Sequence, residues 1–211
     1  MKFYSLMLKT KRNSFLKLIA LIGLIVWSNL SYGQCNCNFT IPTGTTSYTF
    51  DGAAKGAKPG DVICLSAGSI QRILFQNMKG SATSHIKIVN CGGQSLVGSA
   101  TANSAISFSN CQFIRLTGTG DPNNFYGIKI PESAPSSMGV SIYNLSSDFE
   151  VDHLEITKVG FAGIMTKSDP SKDCLNKIYE RPNFTMRNIN IHNNYIHDIT
   201  GEGVYCGNSF Y

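Results

Sequence analysis

The chain has 211 residues, 42% of them hydrophobic and 15% charged, with a formal net charge of +5. That length is ample for one domain with a buried core. The five basic residues among positions 1–33 are matched by no acid, and without that stretch 13 Lys+Arg face 13 Asp+Glu, a balance that excludes a polybasic surface for nucleic acid or anionic membranes.

Positions 1–33 read as a signal peptide. Lys2, Lys9, Lys11 and Arg12 precede an apolar run at 15–27, and Ser31-Tyr32-Gly33 supplies the small-x-small pattern of a cleavage site before Gln34. The alternative, a retained anchor, is opposed by Lys17 inside the run and by a length under the roughly 20 residues that span a bilayer. The expected location is secreted or cell-surface, with no membrane contact after cleavage. All seven cysteines (35, 37, 64, 91, 111, 174 and 206) lie beyond that point, so some should be bridged in an oxidising compartment. Their number is odd and their pairing is open. Cys35-x-Cys37 is the one close pair and no His neighbours it, which argues against zinc.

In chain order, 34–57 reads as an amino-terminal cap with short alternation at Phe39/Ile41 and Tyr48/Phe50, and 58–211 as a series of coils. Lys58-Pro59-Gly60-Asp61 is a turn feeding the strand Val62-Ile63-Cys64-Leu65. In His85-Ile86-Lys87-Ile88, Ile86 and Ile88 should point inward while His85 and Lys87 point out. Strands follow around Ile106/Phe108, Phe113-Ile114-Arg115-Leu116 and Ile128/Ile130, with long loops at 131–138 and 168–182. The clearest organisation is a repeat. Phe149, Val151, Ile156, Val159 and Gly163-Ile164 match Ile189, Ile191, Ile196, Ile199 and Gly203-Val204 forty positions later. A fixed period with period-2 alternation inside each copy predicts short stacked strands, a β-solenoid. Tyr126-Gly127-Ile128 reads as a third copy of the Gly-apolar pair. The many asparagines at strand ends suit left-handed bends, where an amide can stack on the coil above.

Several of these segments carry a resemblance. Lys58-Pro59-Gly60-Asp61-Val62-Ile63, His85-Ile86-Lys87-Ile88-Val89-Asn90-Cys91-Gly92-Gly93, Phe113-Ile114-Arg115-Leu116-Thr117-Gly118, Asp148-Phe149-Glu150-Val151-Asp152-His153 and Asn193-Asn194-Tyr195-Ile196-His197-Asp198, with Gly201-Glu202-Gly203-Val204, cover nearly all of 34–211. On them the chain resembles the right-handed parallel β-helix proteins of the pectate-lyase-like superfamily, of the secreted Bacteroidota type. The resemblance implies an all-β, single-stranded parallel β-helix, and such proteins include polysaccharide lyases, hydrolases, epimerases and non-catalytic surface proteins. They continue through further coils, so the expectation is a reading frame extending past Tyr211.

At an offset of forty, Glu150 falls beside Asn190 and Asp152 beside His192. Carboxylates and amides are calcium ligand types, and the resemblance implies a lyase in which such an ion neutralises a uronate while Lys, Arg or His removes the adjacent proton. Glu150, Asp152 and Asn190 are the candidate calcium ligands, with Glu155 a further carboxylate, and His153, His192, Lys158 and Arg187 the candidate bases. The plainer reading of these acids is a solvated face that discourages aggregation. His197, Asp198 and Glu202 form a second catalytic candidate, a general acid or base oriented by a carboxylate. Its plainer counterpart is a cross-strand ion pair between Lys158 and Asp198. Tyr195, Tyr205 and Arg187 are candidates for contact with sugar, as are Phe125-Tyr126 and Phe161. No Gly-rich phosphate loop, Gly-x-Ser-x-Gly or Cys-x-x-Cys is present, which leaves nucleotide binding, esterase and thiol-redox functions without support. The expected function is engagement of an extracellular acidic polysaccharide, with β-elimination as its enzymatic version and a non-catalytic carbohydrate-binding surface module as the rival.

Overall fold

The computed structural model describes residues 35–169 and 177–207. The leader at 1–33 lies outside them, as do 170–176 of the second long loop, with Cys174. In chain order the described elements are β1 (Phe39–Ile41), β2 (Tyr48–Asp51), α1 (Gly52–Lys55), β3 (Val62–Ile70), β4 (Ile73–Gln76), β5 (Ile86–Val97) and β6 (Ile106–Ser109). They continue with β7 (Gln112–Thr117), β8 (Ile128–Ile130), β9 (Met138–Tyr143), β10 (Ser147–Asp152), β11 (Leu154–Thr157) and β12 (Ala162–Thr166). After 170–176 come β13 (Ile189–His192), β14 (Tyr195–His197) and β15 (Glu202–Cys206).

Every pairing between these strands is parallel, and together they form three ladders. The first runs β1-β3-β5-β7-β10-β13. The second uses the later halves of the long strands β3 and β5, then β8, β11 and β14. The third runs β2-β4-β6-β9-β12-β15. From β3 onward the chain visits the three ladders in turn and begins again, so the molecule is all-β with parallel sheets, a topology compatible with the expected solenoid. The stretch expected as a cap contributes β1 and β2, which pair in the same direction as the strands that follow.

Register follows from burial, because a one-residue slip would send every inward side chain outward. Ile63, Ile88, Leu116, Val151 and Ile191 form one inward row of the first ladder. Ile73, Ile106, Val140, Ile164 and Val204 do the same on the third. A file of phenylalanines runs through the core, with centroid separations of 6.0 Å for Phe50–Phe75, 5.1 Å for Phe75–Phe108 and 5.0 Å for Phe108–Phe149. Each such buried ring contributes about 1.5–3 kcal/mol by leaving water. Ile86 and Ile88 are fully buried and Lys87 is exposed, as the alternation predicts.

The repeat expectation holds where the anchors are apolar: Phe149 pairs with Ile189, Val151 with Ile191, Ile156 with Ile196 and Ile164 with Val204. The third copy differs. Ile128 stacks under Leu154 on the second ladder, and it is Gly139-Val140 that precedes Gly163-Ile164 on the third. A Cβ on Gly139 would sit 2.6 Å from the Gly163 carbonyl oxygen, and one on Gly163 would sit 2.6 Å from that of Gly203. The file of glycines is therefore fixed by close backbone approach. At the bends, Asn77, Asn110, Asn144, Asn188 and Asn193 adopt positive φ between 52° and 55°. Their amides also link successive passes: Asn110 Nδ2 donates to Asn77 Oδ1 at 2.9 Å, and Asn77 Nδ2 to Asp51 Oδ2 at 3.0 Å.

Candidate functional site

The outward rows of the first ladder place unlike charges side by side. Arg115 pairs in register with Glu150, and Thr117 with Asp152, which is followed by His192. The Arg115 guanidinium donates to both carboxylate oxygens of Asp152, from Nε at 2.9 Å and Nη2 at 3.2 Å. Thr117 Oγ1 donates to the same carboxylate at 2.5 Å, and His153 Nδ1 lies 2.5 Å from it. Asp152 is completely buried. Burial is the largest single influence on its carboxyl and pushes the pKa up, but the bonds from Arg115, Thr117 and His153 together outweigh it and hold the group below its ordinary value. The same bond to Asp152 raises the pKa of Arg115.

Glu150 and Asp152 do neighbour Asn190 and His192, as the forty-residue offset predicts. They do not fit calcium. Arg115 Nε sits 2.9 Å from Asp152 and 3.4 Å from Glu150, so a protein cation already faces these oxygens, and Asp152 also engages Thr117 and His153. Asn190 is exposed, and the third group near the two acids is His192, with its Nε2 3.1 Å from Glu150 Oε1. Glu150, Asp152 and His192 have ligand atoms within 4.8 Å of one another, but Arg115 stands among them.

The second constellation forms only in part. His197 Nδ1 lies 2.9 Å from Asp198 Oδ2, and its Nε2 3.7 Å from Glu155, which Lys129 engages at 2.5 Å. Lys158 and Asp198 meet through the backbone, Lys158 N–H donating to the Asp198 carbonyl at 3.2 Å. The expected ion pair between their side chains is absent, because both residues occupy a bend at positive φ and Asp198 turns to His197 instead. Glu202 begins β15 on the third ladder, exposed and without a side-chain hydrogen bond among the described residues, so it does not join His197. Arg187 is exposed ahead of β13, where its backbone bonds Ser147 and Asp148.

A ten-residue excursion between β7 and β8 carries Phe125 and Tyr126 to this corner of the molecule. Its ends are clasped by Gly127 N–H donating to the Gly118 carbonyl at 3.1 Å, and its middle by Gly120 N–H donating to the buried Asn90 Oδ1 at 2.9 Å. Phe125 lies 5.0 Å from His153, Tyr126 lies 5.9 Å from Tyr195, and Tyr195 stacks on His197 at 4.1 Å.

The outer side of the third ladder is different in character. Ser107, Ser141 and Met165 lie in one outward row, flooring an open depression of about 320 Å³ that Arg72, Asn103, Ser104, Tyr143, Asn144, Lys167 and Asp169 complete. Lys167 pairs with Asp169 at 3.0 Å and lies 5.6 Å from the ring of Tyr205, itself in register with Met165. The buried Arg72 Nε has no hydrogen-bond partner. Sequence reasoning named Tyr205 here but missed Arg72 and Lys167, and at the corner it missed Arg115. The available signal was register: Arg115 becomes visible only when β7 is set against β10, and Arg72 and Lys167 only when the ladder that they flank at β4 and β12 is assembled. No family model, curated protein or solved structure matches the chain.

Proposed function

We propose that the chain is a secreted parallel β-helix protein of the pectate-lyase-like kind, and that the outer surface of its third ladder binds an extracellular acidic polysaccharide. The observation that carries this reading is the depression in which Arg72, its buried Nε without a hydrogen-bond partner among the described residues, and Lys167, shared with Asp169, stand among hydroxyls and amides. A guanidinium and an ammonium suit the carboxylates or sulfates of an acidic glycan. Ser107, Ser141, Asn103 and Asn144 supply the shorter polar groups that sugar hydroxyls need. Two disulfides, Cys35–Cys91 and Cys37–Cys64, support an oxidising compartment, and among the described residues no helix is long and apolar enough to cross a membrane.

Cleavage by β-elimination is a second reading, favoured by Tyr143, whose phenol shares the depression with both cations. A cation that neutralises the uronate acidifies the neighbouring C5–H; the Tyr143 oxygen takes that proton, the C4–C5 double bond forms as the C4–O glycosidic bond breaks, and the phenol returns the proton to the departing oxygen. The two readings separate in one assay, in which the full-length secreted protein is incubated with pectate, alginate and glycosaminoglycans while binding and the ultraviolet absorbance of an unsaturated product are followed. Replacing Arg72 and Lys167 by Ala should lower affinity at least tenfold, the loss of about 1.4 kcal/mol or more, and binding should weaken with salt. Binding without product leaves the non-catalytic version standing; no binding to any polyanion overturns the proposal.

A further inference from the structure

The corner between the first and second ladders has a surface chemistry that a polyanion does not match. Phe125 is 66% exposed and Tyr195 49%, in a chain that buries Phe50, Phe75, Phe108 and Phe149 in its core. They belong to one assembly. Phe125 meets Tyr126 edge to face at 4.9 Å, Tyr126 lies nearly parallel to Tyr195 at 5.9 Å, and Tyr195 rests on His197 at 4.1 Å. The rings are held in place from two sides, by the clasped excursion that carries Phe125 and Tyr126 and by β14, which carries Tyr195 and His197. A rigid aromatic surface loses little conformational freedom when a ligand covers it.

Two cations beside these rings are already paired. Lys129 is taken by Glu155, and Arg115 by Asp152 and Glu150. With Asp198 there are four carboxylates beside these cations, and Lys87 stands in register with Arg115, so the corner offers no excess of positive charge for a polyanion to meet. Asp152 holds His153 by Nδ1, which leaves its Nε2 with no partner among the described residues, beside the Phe125 ring. We propose that this corner is a separate binding site for the neutral pyranose units of a glycan, with the C–H face of a sugar stacking on Tyr195 and Phe125 and a hydroxyl meeting His153 Nε2. It shares no residue with the depression on the third ladder, so the two sites stand or fall independently.

The test uses the full-length secreted protein and neutral hexasaccharides of xylose, glucose and mannose, with binding followed by calorimetry and by tyrosine fluorescence. At least one of the three should bind with little dependence on salt. Tyr195→Ala and Phe125→Ala should each weaken that binding at least tenfold, Tyr195→Phe should retain it, and the Arg72/Lys167 double Ala variant should leave it unchanged. All four variants should keep the wild-type circular dichroism spectrum and melting temperature, since the altered rings are exposed and the cations lie outside the core. Failure of all three sugars to bind would overturn the proposal, as would equal affinity in Tyr195→Ala and Phe125→Ala. Loss of neutral-sugar binding in the Arg72/Lys167 variant would assign the sugars to the depression instead and sink the separate site.

Discussion

Asp152 shows how a carboxylate with no exposed surface is tolerated inside this protein. Its oxygens accept from a guanidinium, a hydroxyl and an imidazole at once, so the cost of leaving water is offset by several charge-assisted bonds. Asp152→Asn would remove the buried charge that Arg115 engages, leaving it Glu150 alone, and is expected to cost about 3 kcal/mol, read as a lower urea midpoint at constant slope. The pH dependence has a definite sign. Because the folded pKa lies below the ordinary 3.8, the stabilisation is complete above that value and is lost as pH falls through the lower folded one. The wild type should therefore lose stability more steeply than Asp152→Asn below about pH 4. Parallel acid titrations of the two proteins would sink the assignment.

At the scale of the element, the bends decide how each strand finds its ladder. Asp148, His153 and Lys158 bend at positive φ in one pass, and Asn188, Asn193 and Asp198 do so forty positions later. The same three hinge points are thus used twice with different side chains, which is why His153 and Lys158 stand where Asn or Gly is commoner. Between hinges, neighbouring passes approach closely at Gly163. A methyl group there would lie 2.6 Å from the Gly203 carbonyl oxygen and 2.7 Å from Ile196 Cγ2, and backbone cannot yield as a long side chain can. Gly163→Ala is expected to destabilise by about 2–3 kcal/mol; a melting temperature within a degree of wild type would contradict the close packing of these passes.

For the whole molecule, the two disulfides fasten the first strand to the passes behind it. Cys37 reaches Cys64 on β3, and Cys35 reaches Cys91 on β5, closing loops of 27 and 56 positions. On the chain-entropy account each restricts the unfolded state by about 3–4 kcal/mol. Reduction should accordingly lower the unfolding free energy by several kcal/mol, read as a lower denaturation midpoint, and a Cys37→Ser/Cys64→Ser variant should reproduce part of that loss; an unchanged midpoint on reduction would refute it. Cys111 is a different kind of cysteine. Burial pushes its thiol up to about 12, so it should resist alkylation until the protein unfolds.

The sequence by itself determined the parallel ladders and the forty-residue register, because buried positions must be apolar on every pass: Phe149 over Ile189 and Ile156 over Ile196 are legible without coordinates. It also marked the bends through asparagine. It misplaced the preceding copy because the passes are unequal in length. The excursion at 118–127 and the loop at 131–137 shift the offset, so that register runs 115 to 150, 128 to 154 and 140 to 164 on successive ladders. The sites depended on that shift. Arg115 became the partner of Asp152, and Arg72 and Lys167 came to share one depression, only when the tertiary structure set each strand against its neighbour. An outward side chain leaves no periodic trace of the charge that will face it across 4.8 Å or so of sheet, whereas an inward one is constrained on every pass to stay apolar.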